Sequence, residues 1–133
     1  MNFGLRPSLV LGDMDSVRRV PDDVPALQLD GQDDTDLEKA LQRISAPLII
    51  GFGFLDGRLD HVLASMHAIT RLQRDIPLIL VGRRDVLLRP VGDVALSLVP
   101  GMRFSVWPLG KQHFLGSSGL QWPLDGLTMT QGG

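Results

Sequence analysis

The feature that most constrains this chain is a repeated device: a short apolar run that stops at a glycine. Leu9-Val10-Leu11 ends at Gly12 and Leu48-Ile49-Ile50 runs into Gly51-Phe52-Gly53-Phe54. Ile76-Pro77-Leu78-Ile79-Leu80-Val81 closes at Gly82. Apolar runs this short, bounded by turn residues, read as buried strands. Between the second and third, Leu59, Val62, Leu63, Met66, Ile69 and Leu72 recur at helical spacing, predicting a helix from about Asp60 to Gln73. Another helix is expected over 35–43. Thr35 and Glu38 stand at capping-box spacing, Leu37, Ala40, Leu41 and Ile44 form one stripe, and Pro47 ends it. Residues 26–29, after the turn-forming Pro21-Asp22-Asp23, are a further strand candidate. Strands and helices alternating at these lengths imply right-handed crossovers and a mostly parallel sheet.

After Gly82 the texture changes and no helical period survives. Val86-Leu87-Leu88, residues 94–99 and residues 103–107 read as short strands, separated by turns such as Pro100-Gly101 and Leu109-Gly110. The expected fold class is therefore α/β: a parallel-sheet α/β domain over 1–83, followed by a small antiparallel β-sandwich domain over 84–133.

Composition removes several classes of function. With 133 residues and 44% hydrophobic content, the chain can bury a core. A formal charge of -2 with no basic stripe gives no electrostatic footprint for nucleic acid. There is no cysteine, which excludes disulfides, thiolate metal sites and cysteine nucleophiles. The N-terminus lacks a signal-peptide pattern, and the apolar runs fall far short of the ~20 residues that span a bilayer. A cytoplasmic protein with no membrane partner is expected.

The chemistry concentrates in acidic loops. Asp13 and Asp15 follow the first strand in Gly12-Asp13-Met14-Asp15-Ser16. Alternate residues leaving a strand point to one side, so both carboxylates can face one ion. The plainer reading is a turn, in which Asp and Gly are common. Asp33, Asp34 and Asp36 crowd the start of the 35–43 helix and repel one another unless a cation or solvent relieves them. An acid at a helix start also complements the helix dipole. Loops at the carboxyl ends of strands are where ligands bind in open α/β sheets. Hard oxygen ligands gathered there suit Mg²⁺, which usually arrives with substrate phosphates. Lys39 is either an i,i+3 partner of Asp36 or a phosphate ligand.

In Gly53-Phe54-Leu55-Asp56-Gly57-Arg58-Leu59-Asp60-His61, glycines precede a helix N-terminus and Arg58 is placed to clamp a phosphate. The plainer alternative is a connecting loop with Asp60 as helix N-cap. His61 and His67 do not share a helix face as metal ligands would. Trp107 is expected in the core, and Trp122 is either core or an aromatic wall for a flat ring.

These motifs carry a resemblance. Residues 12–16, Gln-Asp-Asp-Thr-Asp-Leu-Glu-Lys-Ala-Leu at 32–41 and Asp-Gly-Arg-Leu-Asp-His at 56–61 resemble thiamine pyrophosphokinase in order and spacing. Gly119-Leu120-Gln121-Trp122-Pro123-Leu124 resembles that family's C-terminal strand. The resemblance implies an α/β nucleotide- and Mg²⁺-binding catalytic domain and a β-sandwich thiamine-binding domain. It also implies a homodimer and transfer of the pyrophosphoryl group of ATP to thiamine, giving thiamine diphosphate and AMP. By resemblance, Asp13, Asp15 and Asp36 hold Mg²⁺ on the phosphates as the catalytic acids. By the same resemblance Gln32 and Thr35 lie near thiamine or the transferred group, and Arg58 and Asp60 belong to the nucleotide loop; from the residues themselves, Trp122 is added as a substrate-binding ring wall and Lys39 as a nucleotide ligand. A pyrophosphokinase for a pterin alcohol, or a non-catalytic nucleotide- or thiamine-binding dimer, are the alternatives. Asp56 replaces a usual glycine, and Ser65 stands where asparagine is common. An Ala-Asp-Gly-Gly loop ahead of this sequence and a Ser-Asn segment beyond it are expected from the resemblance, so the chain is expected to be truncated at both ends.

Overall fold

Why the apolar runs become strands, and which way they face, is visible in a computed structural model. It describes residues 6–12, 14, 20–29 and 35–132. The first unit, Met1–Val94, carries β1 (Val10–Gly12), β2 (Ala26–Gln28), α1 (Asp36–Arg43), β3 (Ile49–Phe52), α2 (Leu59–Arg71), β4 (Leu78–Val81) and β5 (Val86–Arg89). The second, Ala95–Gly133, carries β6 (Gln112–His113) and β7 (Thr128–Met129). Two helices with mixed sheets give the chain its α/β character.

Within the first unit β1 pairs with β2 in parallel, and β3 pairs with β4 in parallel. The two pairs belong to separate sheets. The strand Val86–Arg89 forms as expected but pairs with β4 in antiparallel fashion, extending the α/β sheet. Gly82 N–H donates to the Asp85 carbonyl at 2.9 Å, so Arg83 and Arg84 are the tip of a tight β4–β5 hairpin.

Register decides what the sheet buries. Ile49, Leu78 and Arg89 stand in line, as do Gly51, Leu80 and Leu87. That face packs on the helices, and Leu78 and Leu80 are fully buried with Leu37, Leu41 and Ile69. A Cβ at Gly51 would come within 2.8 Å of the Leu80 side chain and 3.0 Å of the Phe54 ring, so only glycine fits this packing. The alternate residues, Ile50, Phe52, Ile79, Val81, Val86 and Leu88, share the opposite face. Ile50, Phe52 and Val86 on it are exposed.

Helix α1 follows its sequence signal. Thr35 is the N-cap, its hydroxyl accepting from Glu38 N–H at 3.3 Å. Glu38 does not complete a capping box; its carboxylate is buried and pairs with Arg71 of α2 at 2.9 Å. Helix α2 departs from expectation in its facing. Ser65, Ala68 and Ile69 are buried, while Leu59 and Leu63 of the predicted stripe are exposed. The buried arc is rotated on the order of a quarter turn from the apolar one. Small side chains at 65 and 68 allow close approach, and that contact outweighs the bulkier residues.

Arg89 reaches from β5 to carbonyls at the C-terminal end of α2, donating to Leu72 at 3.1 Å, Ile76 at 2.9 Å and Arg74 at 3.3 Å. A guanidinium suits that end because the helix dipole is negative there.

Beyond β5, the runs at 94–99 and 103–107 carry no ladder among the described residues. Apolar alternation makes a strand only where a neighbour supplies hydrogen bonds, and β6 with β7 is the ladder found in the second unit. Trp107, expected in the core, is 64% exposed. The strand expected at 119–124 is not formed, and Thr128–Met129 takes that role. Ser117 folds this stretch instead: its hydroxyl donates to Asp125 Oδ2 at 2.7 Å and accepts from Leu124 N–H at 2.8 Å.

Candidate active site at the strand ends

Three groups of predicted site residues fall in different places. Asp13, Asp15 and Gln32 lie outside the described residues. Thr35, Asp36 and Lys39 are on α1 or at its cap, Arg58 and Asp60 open α2, and Trp122 is in the second unit.

Asp36 is the described acid that meets the first loop. Its Oδ1 lies 3.4 Å from where a Cβ on Gly12 would stand. Gly12 is the last residue of β1, so the α1 N-terminus abuts the strand end from which Asp13 leaves. A Cβ at 12 would stand in ordinary van der Waals contact with that carboxylate. Asp36 is exposed, and among the described residues its carboxylate has no hydrogen-bond or ion-pair partner. In the same loop, Met14 holds φ +66, in the left-handed region that a non-glycine residue seldom enters. Strain of this kind clusters at sites where chain direction matters more than comfort.

Lys39 does not form the i,i+3 ion pair with Asp36 that the simpler reading offers. It is 5% exposed, one turn along from Thr35, whose carbonyl accepts its N–H at 2.9 Å. Among the described residues it has no acidic partner.

Arg58 and Asp60 form a two-point pair: Arg58 Nε donates to Asp60 Oδ1 at 3.0 Å, and Arg58 Nη2 donates to Oδ2. Asp60 Oδ1 also accepts from His61 N–H at 3.0 Å. The hydrogen bond from Arg58 holds the Asp60 carboxyl below its ordinary value, against the opposing effect of desolvation. The hydrogen bond to Asp60, with that carboxylate's charge, raises the Arg58 guanidinium. Asp60 is not the N-cap of α2. Arg58 occupies that position, without a side-chain cap, and Asp60 sits in the first turn. Gly53 at φ +86 and Gly57 at φ +93 turn the loop that presents the pair.

Trp122 is 76% exposed. A ring that open is not core, which leaves it available to stack on a flat group.

Asp56, read from sequence only as a departure from glycine, makes a contact that was not foreseen. Both its oxygens accept from Arg83 N–H, each at 3.1 Å, tying the β3–α2 loop to the β4–β5 hairpin. The acid in a glycine loop was the signal, but its partner lies 27 residues away in sequence.

The family model for "Thiamin pyrophosphokinase, catalytic domain" matches residues 1–80. The chain belongs to this family. Thiamin pyrophosphokinase 1 of Caenorhabditis elegans is 27% identical over 143 residues, covering 95% of this chain and 59% of that protein. The chain thus spans about three fifths of the length of the curated relative it matches. Every predicted site residue except Trp122 falls inside the stretch matched by the thiamin pyrophosphokinase model. Among the described residues no three acidic or histidine side chains cluster as a metal site, and Asp36 is the one predicted ligand among them. Its donor chemistry, a hard carboxylate oxygen beside a strand end, fits Mg²⁺ better than a softer metal. No helix of the described residues is long and apolar enough to cross a membrane.

Proposed function

We propose that the chain is a thiamine pyrophosphokinase, moving the pyrophosphoryl group of ATP to thiamine. The hydroxyethyl oxygen of thiamine forms a bond to the β-phosphorus, and the bond from that phosphorus to the oxygen bridging the α-phosphate breaks. Thiamine diphosphate and AMP result, and the hydroxyl proton passes to solvent or a neighbouring base. The observation that carries this reading is the Asp36 carboxylate, unpaired among the described residues and set against Gly12 at the end of β1. Asp13 and Asp15 follow Gly12 in sequence, so three carboxylates from two turns would share a divalent ion.

Mg²⁺ held by Asp13, Asp15 and Asp36 would neutralise charge on the phosphates. Such a transfer asks the protein for positioning and charge neutralisation more than for covalent chemistry. Lys39 would lie along the phosphates, and Arg58, oriented by Asp60, would clamp them. Gln32 and Thr35 would face thiamine, with Trp122 as a stacking wall. The full arrangement in this reading is a parallel-sheet α/β domain with a β-sandwich domain, in a cytoplasmic homodimer.

The test is to incubate the chain with ATP, Mg²⁺ and thiamine and resolve the products by chromatography. AMP and thiamine diphosphate in equal amounts support the reading. AMP formed with a pterin alcohol and not with thiamine would reassign the acceptor, and no AMP with either would leave a binding protein.

A further inference from the structure

Two loops leave the carboxyl ends of the parallel strands β3 and β4, and they touch. A Cβ on Gly82 would stand 3.0 Å from the Leu55 Cβ, and Asp56 accepts the Arg83 N–H. Between them is a hollow of ≈ 440 Å³ lined by Asp56, Gly57, Arg83 and Arg84. That volume lies in the range of small-ligand sites, and the carboxyl edge of parallel strands is where such sites occur.

The charges around it are unequal in their freedom. Arg58, next in sequence to Gly57, is engaged by Asp60. Asp56 directs both oxygens to a backbone N–H rather than to a guanidinium. Asp85 closes the hairpin through its backbone carbonyl, and its carboxylate has no ion-pair partner among the described residues. Among the described residues, the guanidinium groups of Arg83 and Arg84 have neither an ion-pair nor a hydrogen-bond partner. Two adjacent planar cations on a tight turn, with the turn braced at its base, are suited to bidentate recognition of phosphate oxygens.

We propose that this hollow is a polyphosphate-binding site, with Arg83 and Arg84 as its ligand-contacting residues and Asp56 as a positioning residue. It takes the phosphate chain of a nucleoside triphosphate or a free inorganic polyphosphate; the two present the same oxygens. The proposal rests on the nucleotide-dependent reading above for its biological ligand. Asp56 sets the turn but its charge opposes an anion, so replacing that charge while keeping the acceptor has a predictable sign.

The experiment is calorimetric titration of the full chain with inorganic tripolyphosphate, ATP and AMP, at low and at moderate salt. Tripolyphosphate and ATP are expected to bind, AMP to bind less, and affinity to fall with salt. Arg83→Ser with Arg84→Ser is expected to weaken tripolyphosphate binding by about tenfold or more, with unchanged circular dichroism because both side chains are at an exposed hairpin tip. Asp56→Asn is expected to tighten it, which a purely structural role for Asp56 would not do. Binding by ATP alone would place the source in the nucleotide, and binding by both in the phosphate chain. Equal affinity in the wild type and the double-arginine variant, or no binding of either polyphosphate, would overturn the site. AMP production by a chain whose arginines do not affect binding would sink this site and leave the enzyme reading. Arginine-dependent tripolyphosphate binding in a chain that never makes AMP would do the reverse.

Discussion

At the scale of single residues, Asp36 bears most of the functional reading. Asp36→Asn keeps the shape and removes the charge, so α1 should form as before. Mg²⁺-dependent AMP release is predicted to fall on the order of 10²-fold or more, comparable to losing one stabiliser of transition-state charge; turnover at the wild-type rate would remove Asp36 from the site. The Arg58–Asp60 pair makes a pH prediction. Because the Asp60 carboxyl is lowered in the folded chain, whatever order the pair lends the loop is fully present above the ordinary carboxylate range. It is lost as pH falls through the lowered value. Carbon-detected NMR titration of the Asp60 carboxyl should show a midpoint below that of an unstructured peptide, and Arg58→Gln should return it to the ordinary range. An unshifted midpoint in the wild type would contradict the pair. Residue identity was legible where chemistry is local: the cap at Thr35 and the glycine-rich loop could be read directly. The Asp56–Arg83 contact could not, since no local pattern links a loop acid to a backbone N–H across two strands.

Elements were legible where a period was strong, and misread where a partner decides. The α1 and α2 segments and the strands of the β3–β4–β5 sheet were placed to within a few residues. The buried face of α2 was not, because hydropathy ranks Leu59 and Leu63 above Ser65 and Ala68, whereas the close approach of α1 and α2 favours small side chains. The runs at 94–99 and 103–107 have strand composition, but composition cannot supply the neighbour that a ladder needs. Two substitutions test the element contacts. Arg89→Ala removes donors from three carbonyls beyond the end of α2 and is predicted to destabilise the first unit by about 2 kcal/mol in urea denaturation. Gly51→Ala forces a methyl against Leu80 and Phe54 and is predicted to cost about 1–3 kcal/mol. Wild-type midpoints in either variant would mean that the packing described here does not limit stability.

At the scale of the whole molecule, exposed apolar surface is the dominant fact. Phe52, Ile50 and Val86 lie on one sheet face of the first unit, and Val99, Trp107 and Trp122 are exposed in the second. Surface of this character marks association, and the proposed homodimer would bury part of it. Sedimentation at micromolar concentration is predicted to give a dimer, and a monomer would contradict that proposal. The central proposal is narrower: carboxylates from separate turns would hold one divalent cation at the end of β1. Its most direct test is Mn²⁺ binding in the presence of ATP, followed by electron paramagnetic resonance in the wild type, Asp13→Asn, Asp36→Asn and the double variant. A shared ion predicts that each single change removes most of the bound Mn²⁺ and that the double change adds little. Wild-type Mn²⁺ binding in both single variants, or losses that simply add, would contradict it.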